Sequence, residues 1–272
     1  MKKYFLIFCV LGISTISFCQ DLAPGFKTWG GIGINWRITK KSSINFSQLL
    51  GANLNPSTIQ YTQSNINYDY RFNKRHSLKL GYKPSVYFSG GNVKLYNRGY
   101  TEYAFRHKLF TLPIKHIVTS EFHFPTLKKY QFRFIYGVKY YFKNNFLPIK
   151  MTPYLKAQLF YYLRGKPLSY YDSNSDLIVK QSPSDFHRFR LGGGITMKPT
   201  RSLRLSVYYF YQQEFNTNLT SNRDLNIPSK NGSKIKYPFN NYHVVGISIT
   251  QPIKTYKKTH KSKNNKSQPS IS

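Results

Sequence analysis

Lysine and arginine recur on one side of an alternating pattern along most of this chain, and that placement is where its chemistry concentrates. On the row opposite the aromatic and aliphatic residues fall Arg37, Arg71, Lys79, Lys83, Arg106, Lys108, Lys115, Arg133, Lys139, Lys156, Arg164, Arg188, Arg190, Lys198 and Arg204. Only Asp69, Glu102, Glu121 and Glu214 share that row. Fifteen cations against four acids leave a surplus that water or a bound anion must satisfy, because a desolvated charge needs a partner. The residues of strongest interest are therefore Arg71, Lys79, Lys83, Arg133, Lys139, Lys156, Arg188, Arg190 and Arg204, with the four acids as their ion-pair partners. The chain as a whole carries 41 Lys and Arg against 9 Asp and Glu, a net charge of +32.

No constellation for covalent catalysis emerges. His107, His116 and Ser120 fall on the apolar rows, but His116 and Ser120 are four residues apart in one strand. That is about 13 Å at ~3.3 Å per residue, against the ~3 Å a nucleophile and its base require. A turn at 111–113 would set Ser120 opposite Tyr103, away from His107. Gly192-Gly193-Gly194 lacks the strand–loop–helix setting of a phosphate cradle, and the seven histidines have no zinc-ligand spacing. The expectation is a protein that is not an enzyme, with no catalytic residue, no metal and no cofactor.

The elements that position the cations are strands. In K-Y-Q-F-R-F-I-Y-G-V-K-Y-Y-F at 129–142, Tyr130, Phe132, Phe134, Tyr136, Val138, Tyr140 and Phe142 make one row and Gln131, Arg133, Ile135, Gly137, Lys139 and Tyr141 the other. A period of two puts the rows on opposite faces of a strand. The same alternation runs through 76–88, 154–164, 187–198 and 203–215. It runs less regularly through 29–39, 42–50, 61–72, 101–109, 114–124 and 241–251. These are eleven segments, whereas single-chain bacterial barrels normally have an even number, so ten or twelve strands are expected.

Connections separate a membrane barrel from a soluble sandwich. Short links at 39–42, 73–75, 111–113, 143–150 and 199–202 alternate with longer ones at 51–60, 89–100, 165–185 and 216–240, with a short exception at 125–129. Short turns at one end and long loops at the other, with ~10-residue strands and aromatics near strand ends, mark an outer-membrane barrel. The apolar rows then face lipid and the basic rows a lumen. A barrel of this size is filled by side chains more readily than a porin of 16–18 strands. Its interior reads as a hydrated, ion-paired plug or as a narrow passage favouring anions. Loop 165–185 carries Tyr170, Tyr171, Asp172, Asp176 and Asp185, a local reversal of charge expected to fold against the lumen cations as a constriction. The alternative is a secreted soluble β-sandwich that binds anionic polysaccharide or lipid headgroups.

The ends agree with export. Lys2 and Lys3 precede an apolar run from Tyr4 to Ile16, as in a secretory leader, with cleavage near Cys19–Asp21. Both cysteines, Cys9 and Cys19, lie in that leader, so the mature chain has no thiol. The expected organisation is a signal peptide over 1–20, a barrel over 21–253 and a basic disordered tail over 254–272. Localisation is expected in the outer membrane of a Gram-negative bacterium. Expected partners are membrane lipids, including anionic headgroups, and small anionic solutes. Nucleic acid is excluded, since alternating strands offer no readout element and an exported chain does not meet it.

In its motifs the chain resembles Bacteroidota outer-membrane barrels of the domain of unknown function 2490 family. The likeness lies in T-W-G-G-I-G-I-N-W at 28–36, N-Y-D-Y-R-F-N-K-R-H-S-L-K-L-G-Y at 67–82 and H-R-F-R-L-G-G-G-I-T-M-K-P-T-R-S-L-R-L-S-V-Y-Y-F-Y-Q at 187–212. The resemblance implies an all-β, antiparallel transmembrane β-barrel of 10–12 strands and carries no activity with it.

Overall fold

The computed structural model describes residues 25–54, 57–89, 91–109, 112–142, 151–200, 202–217 and 224–255. The expected leader over 1–20, the expected short link at 143–150 and nearly all of the expected basic tail lie outside them. Sixteen strands follow in order: β1 (Gly25–Arg37), β2 (Ser42–Asn53), β3 (Thr58–Arg71), β4 (His76–Tyr82), β5 (Ser85–Ser89), β6 (Asn92–Leu109), β7 (Leu112–Phe124), β8 (Phe132–Tyr141), β9 (Thr152–Leu163), β10 (Leu168–Tyr171), β11 (Leu177–Gln181), β12 (Asp185–Thr200), β13 (Leu203–Glu214), β14 (Ile227–Pro228), β15 (Ile235–Lys236) and β16 (Tyr242–Lys254). The short pairs β10–β11 and β14–β15 are hairpins within the two longest loops.

The remaining twelve strands close into one barrel, each hydrogen-bonded on both sides. β4 and β5 are two halves of a single stave, lying end to end between β3 and β6. They part at Pro84, which has no N–H to give the ladder. The wall thus has eleven staves, within the expected ten to twelve and odd in number. An odd count closes because β1 and β16 pair in parallel, with Gly25 opposite Tyr242 and Arg37 opposite Lys254, while every other neighbour is antiparallel. The expectation of an even number fails at this one seam. Closure also removes the two-sheet sandwich.

Two expected loops are instead wall. β6 begins at Asn92 and pairs with β5 across a hairpin at Gly91, whose φ of 77° is open to glycine. The expected loop at 89–100 is therefore the upper part of two staves. Likewise β2 and β3 shorten the expected 51–60 link to four residues.

The two rows of each stave face as their composition demands. Outward stand Ile32, Phe46, Leu80 and Leu155, each more than half exposed at 65%, 57%, 51% and 53%. Inward on neighbouring staves, Gly51 faces Tyr61, Gly81 faces Tyr100 and Gly246 faces Tyr208. A Cβ on any of these glycines would sit 2.1–2.3 Å from the tyrosine ring. The missing side chain lets each ring lie flat along the inner wall.

Candidate functional site

All three glutamates of the inner wall gather cations. On β6, Glu102 accepts from Lys79 of β4 at 3.0 Å and lies 3.8 Å from Lys115 of β7. Glu121, on β7 and buried, takes Arg133 Nε of β8 at 2.7 Å, with Arg98 of β6 at 3.5 Å and His123 Nε2 at 3.4 Å. At the end of β13, fully buried Glu214 takes Arg188 Nε of β12 at 3.0 Å and a second bond from the same guanidinium. It also accepts from Lys129 Nζ, from the Asn240 backbone N–H at 2.9 Å and from Tyr162 Oη. Charged hydrogen bonds of this kind are the stronger sort, and they satisfy an anion that burial alone would disfavour.

Glu214 also locks a cap onto the long-loop rim. Lys129 comes from the 125–131 link and Asn240 from the 215–241 loop, so one carboxylate joins two loops to the wall. Lys129 further donates to Pro238 O at 2.9 Å. Burial holds the Lys129 ammonium below the ordinary lysine range, against the opposing pull of Glu214. Leu225 enters the barrel mouth and is fully buried against a cluster of Tyr130, Ile135, Phe160 and Tyr162. Asn216 clamps it by its amide, donating to Leu225 O at 3.0 Å and accepting from Leu225 N at 2.9 Å. The 164–184 loop joins this layer through Lys166 N to Lys128 O at 3.0 Å and through Tyr170 Oη to Asp224 O at 3.3 Å.

Two readings of this rim need correction. Tyr130, expected in an outward aromatic girdle, is buried inside. β8 starts only at Phe132, so the alternation has no hold on Tyr130, and the buried guanidinium of Arg133 donates to its phenol at 2.8 Å. Asp172 and Asp176, expected to meet the lumen cations, do not. Asp172 instead closes its own turn, accepting from Asn174 N and Asp176 N at 2.9 and 2.8 Å. Asp185 caps the start of β12 and accepts from Thr217. What that loop sends inward is apolar: Leu168 and Tyr170 are buried.

Below the cap the cations outnumber their acids. Arg190 donates to Gln212 at 2.8 Å and Tyr242 Oη at 3.3 Å, amid the rings of Phe160 and Phe210, each 5.0 Å away. Lys83 sits 3.9 Å over Tyr100 and Lys139 3.4 Å over Tyr154. Such cation–π contacts contribute about 2 kcal/mol when desolvated. Lys156 and Arg190 line a cavity of about 280 Å³ with Gln158, Tyr154 and Tyr208. At the short-turn rim a second cavity, of about 270 Å³, opens among Arg37, Arg71, Lys79, Arg204 and Asp69. Asp69 was expected to form an ion pair; among the described residues it makes none within 4 Å, although its cross-strand neighbour is Lys79, which turns to Glu102. Arg71 is at the exposed lip of that mouth.

Sequence reading missed Arg98, His123 and Lys129. Arg98 continues the inward row of Tyr100 and Glu102, a signal cut off by the misplaced 89–100 loop, while His123 continues that of Thr119 and Glu121 inside the expected 114–124 segment, where only Lys and Arg were counted as cations. Lys129 had no signal, since loop folding brings it in. On the outer face, Ser120 pairs with Thr101, two residues from the expected Tyr103, because the β6–β7 turn closes between Leu109 and Leu112. His116 Nδ1 lies 2.8 Å from Tyr136 Oη and its ring stacks on His107 at 4.9 Å.

The family described as Protein of unknown function (DUF2490) matches residues 26–223, from β1 through most of the wall. The chain belongs to that family. The matched DUF2490 region contains the Glu102 and Glu121 clusters and Glu214 itself, and ends just before the described segment that delivers Leu225. No curated protein and no solved structure matches the chain.

Proposed function

We propose that this DUF2490 barrel resides in the outer membrane as a non-enzymatic protein whose basic lumen is capped on the long-loop side and open to small anions from the short-turn side. The observation that carries the proposal is the contrast between the two faces of one closed wall. Large apolar side chains stand exposed all the way round it, Ile32, Phe46, Leu80, Leu155, Val207 and Ile247 among them, while glutamates and arginines are buried within. A water-soluble barrel would put its apolar face inside. Lipid requires the reverse and tolerates only a sheet without edges. Export through the leader at 1–20 and contact of the rim cations with anionic headgroups belong to the same reading.

The cap sets this role apart from that of an open pore. Leu225, Tyr130, Phe160 and Tyr162 fill the upper lumen and the Glu214 cluster pins them there. Membrane residence is tested by expressing the full chain and washing the envelope fraction with alkaline carbonate. Retention in the pellet, with release only by detergent, is the expected result; recovery as a monomer in the aqueous wash contradicts it.

A further inference from the structure

A row of like charges crosses the lower lumen. Arg106 of β6 stands directly opposite Lys115 of β7, Lys115 opposite Lys139 of β8, and Lys139 opposite Lys156 of β9. All four point inward. Directly opposed residues in antiparallel strands have Cβ atoms about 5 Å apart, and like charges there destabilise the sheet. Among the described residues only Glu102 comes within 4 Å of this row, and of Lys115 alone, while also holding Lys79.

Among the described residues no other carboxylate pairs with the row within 4 Å, and Asp69, itself unpaired, stays in the short-turn cavity. Of its nine Asp and Glu, all but Asp21 lie in described residues. Glu121 and Glu214 are engaged near the long-loop rim, Asp172, Asp176, Asp185 and Asp224 belong to that rim, and Asp69 lies in the opposite mouth. Lys156 has no ion pair, hydrogen bond or ring partner among the described residues, and its side chain lines the 280 Å³ cavity beside Arg190 and Gln158. Next to Lys156 in register is Gly192, where no side chain competes for that space.

We infer that this row is a binding site for a phosphate-bearing anion, held by Lys115, Lys139 and Lys156 with Arg106 at its mouthward end. A phosphate ester or pyrophosphate presents several charged oxygens to neighbouring ammonium groups at once, which chloride does not. Lysine serves such groups as a point charge. The assignment deepens the basic-lumen reading, on which it rests, by naming a ligand class and the residues that take it.

The test is isothermal titration of sodium pyrophosphate into the detergent-solubilised full chain, at constant ionic strength set with sodium chloride. One-to-one binding is expected, weakened at least tenfold in Lys139→Gln/Lys156→Gln and unchanged in Lys180→Gln. Relieved of repulsion, the double variant is also expected to melt higher than wild type without ligand. Single K156Q, read the same way, serves if the double variant does not refold. Absence of binding, or equal binding by the variants, overturns the site and leaves the capped barrel standing. Micelles doped with phosphatidylglycerol distinguish the source of the phosphate. A response to them alone places the phosphate contact on the outer surface and also overturns the lumen site.

Discussion

Glu214 holds more of the architecture than any other single side chain, since wall, cap and two loops meet on its two oxygens. Glu214→Gln leaves Arg188 and Lys129 buried beside a neutral amide, and breaking a buried pair in this way costs about 3–5 kcal/mol. Glu102→Gln, in a cluster about one-fifth exposed, is expected to cost about 1 kcal/mol, as a partly solvated pair does. Urea unfolding of the refolded barrel followed by tryptophan fluorescence measures both, and equal midpoints for E214Q and wild type would refute the keystone role. Gly192 offers a second check. A Cβ there would lie 2.3 Å from Tyr209 O and 2.6 Å from Phe210 Cα, both main-chain atoms, so Gly192→Ala must push β12 from β13. A midpoint loss worth about 1–3 kcal/mol is expected, and none at all would contradict the close approach. At this scale the sequence disclosed which row each charge belongs to, because strand alternation is local. It did not disclose that Lys129, Tyr130 and Leu225 turn inward, because loop residues obey no period and their placement follows from packing against Phe160 and Tyr162.

Among the elements, the decisive one is the seam of β1 with β16. All eleven staves were legible from alternation, yet their parity pointed to ten or twelve, because a purely antiparallel ring needs an even number. The direction of the closing pair depends on contacts between residues more than 200 positions apart, which no local pattern encodes. The split of one stave into β4 and β5 at Pro84 was masked for the opposite reason, since both halves keep the same inward row. The seam is testable because both native cysteines lie within 1–20. Oxidation of Ile34→Cys/Gln251→Cys, which are direct partners, is expected to yield an intramolecular disulfide visible as a gel-mobility shift. The pair Ile34→Cys/Val245→Cys is expected to stay reduced. The reverse pattern would mean a different closing register. Outward and inward positions can be compared within one stave: Val207→Arg, midway along β13 and facing out, is expected to cost about 2–4 kcal/mol in a bilayer, and Ser206→Arg, facing the lumen, much less. Equal losses in a lipid refolding assay would contradict the assigned faces.

For the whole molecule, a closed apolar-outside wall and a basic interior are joined to a cap on the long-loop rim, and the proposed role is that of a chamber entered from the short-turn side. The basic interior was legible from composition and alternation together. The cap was read in the wrong terms. Acids in the 165–185 loop suggested an electrostatic constriction, but Asp172 closes its own turn and Asp185 caps β12, while Leu168, Tyr170 and Leu225 do the closing. Charge in a loop is visible in sequence, whereas burial of a loop leucine appears only when the chain is folded. The most direct measurement of the account is planar-bilayer conductance of the refolded chain, beside a variant in which residues 225–239 are replaced by a short Gly-Ser link. Wild type is expected to insert silently, and the uncapped barrel to open in discrete steps whose reversal potential under a salt gradient favours anions. Steady conductance by wild type, or an uncapped barrel that stays silent or favours cations, would contradict it.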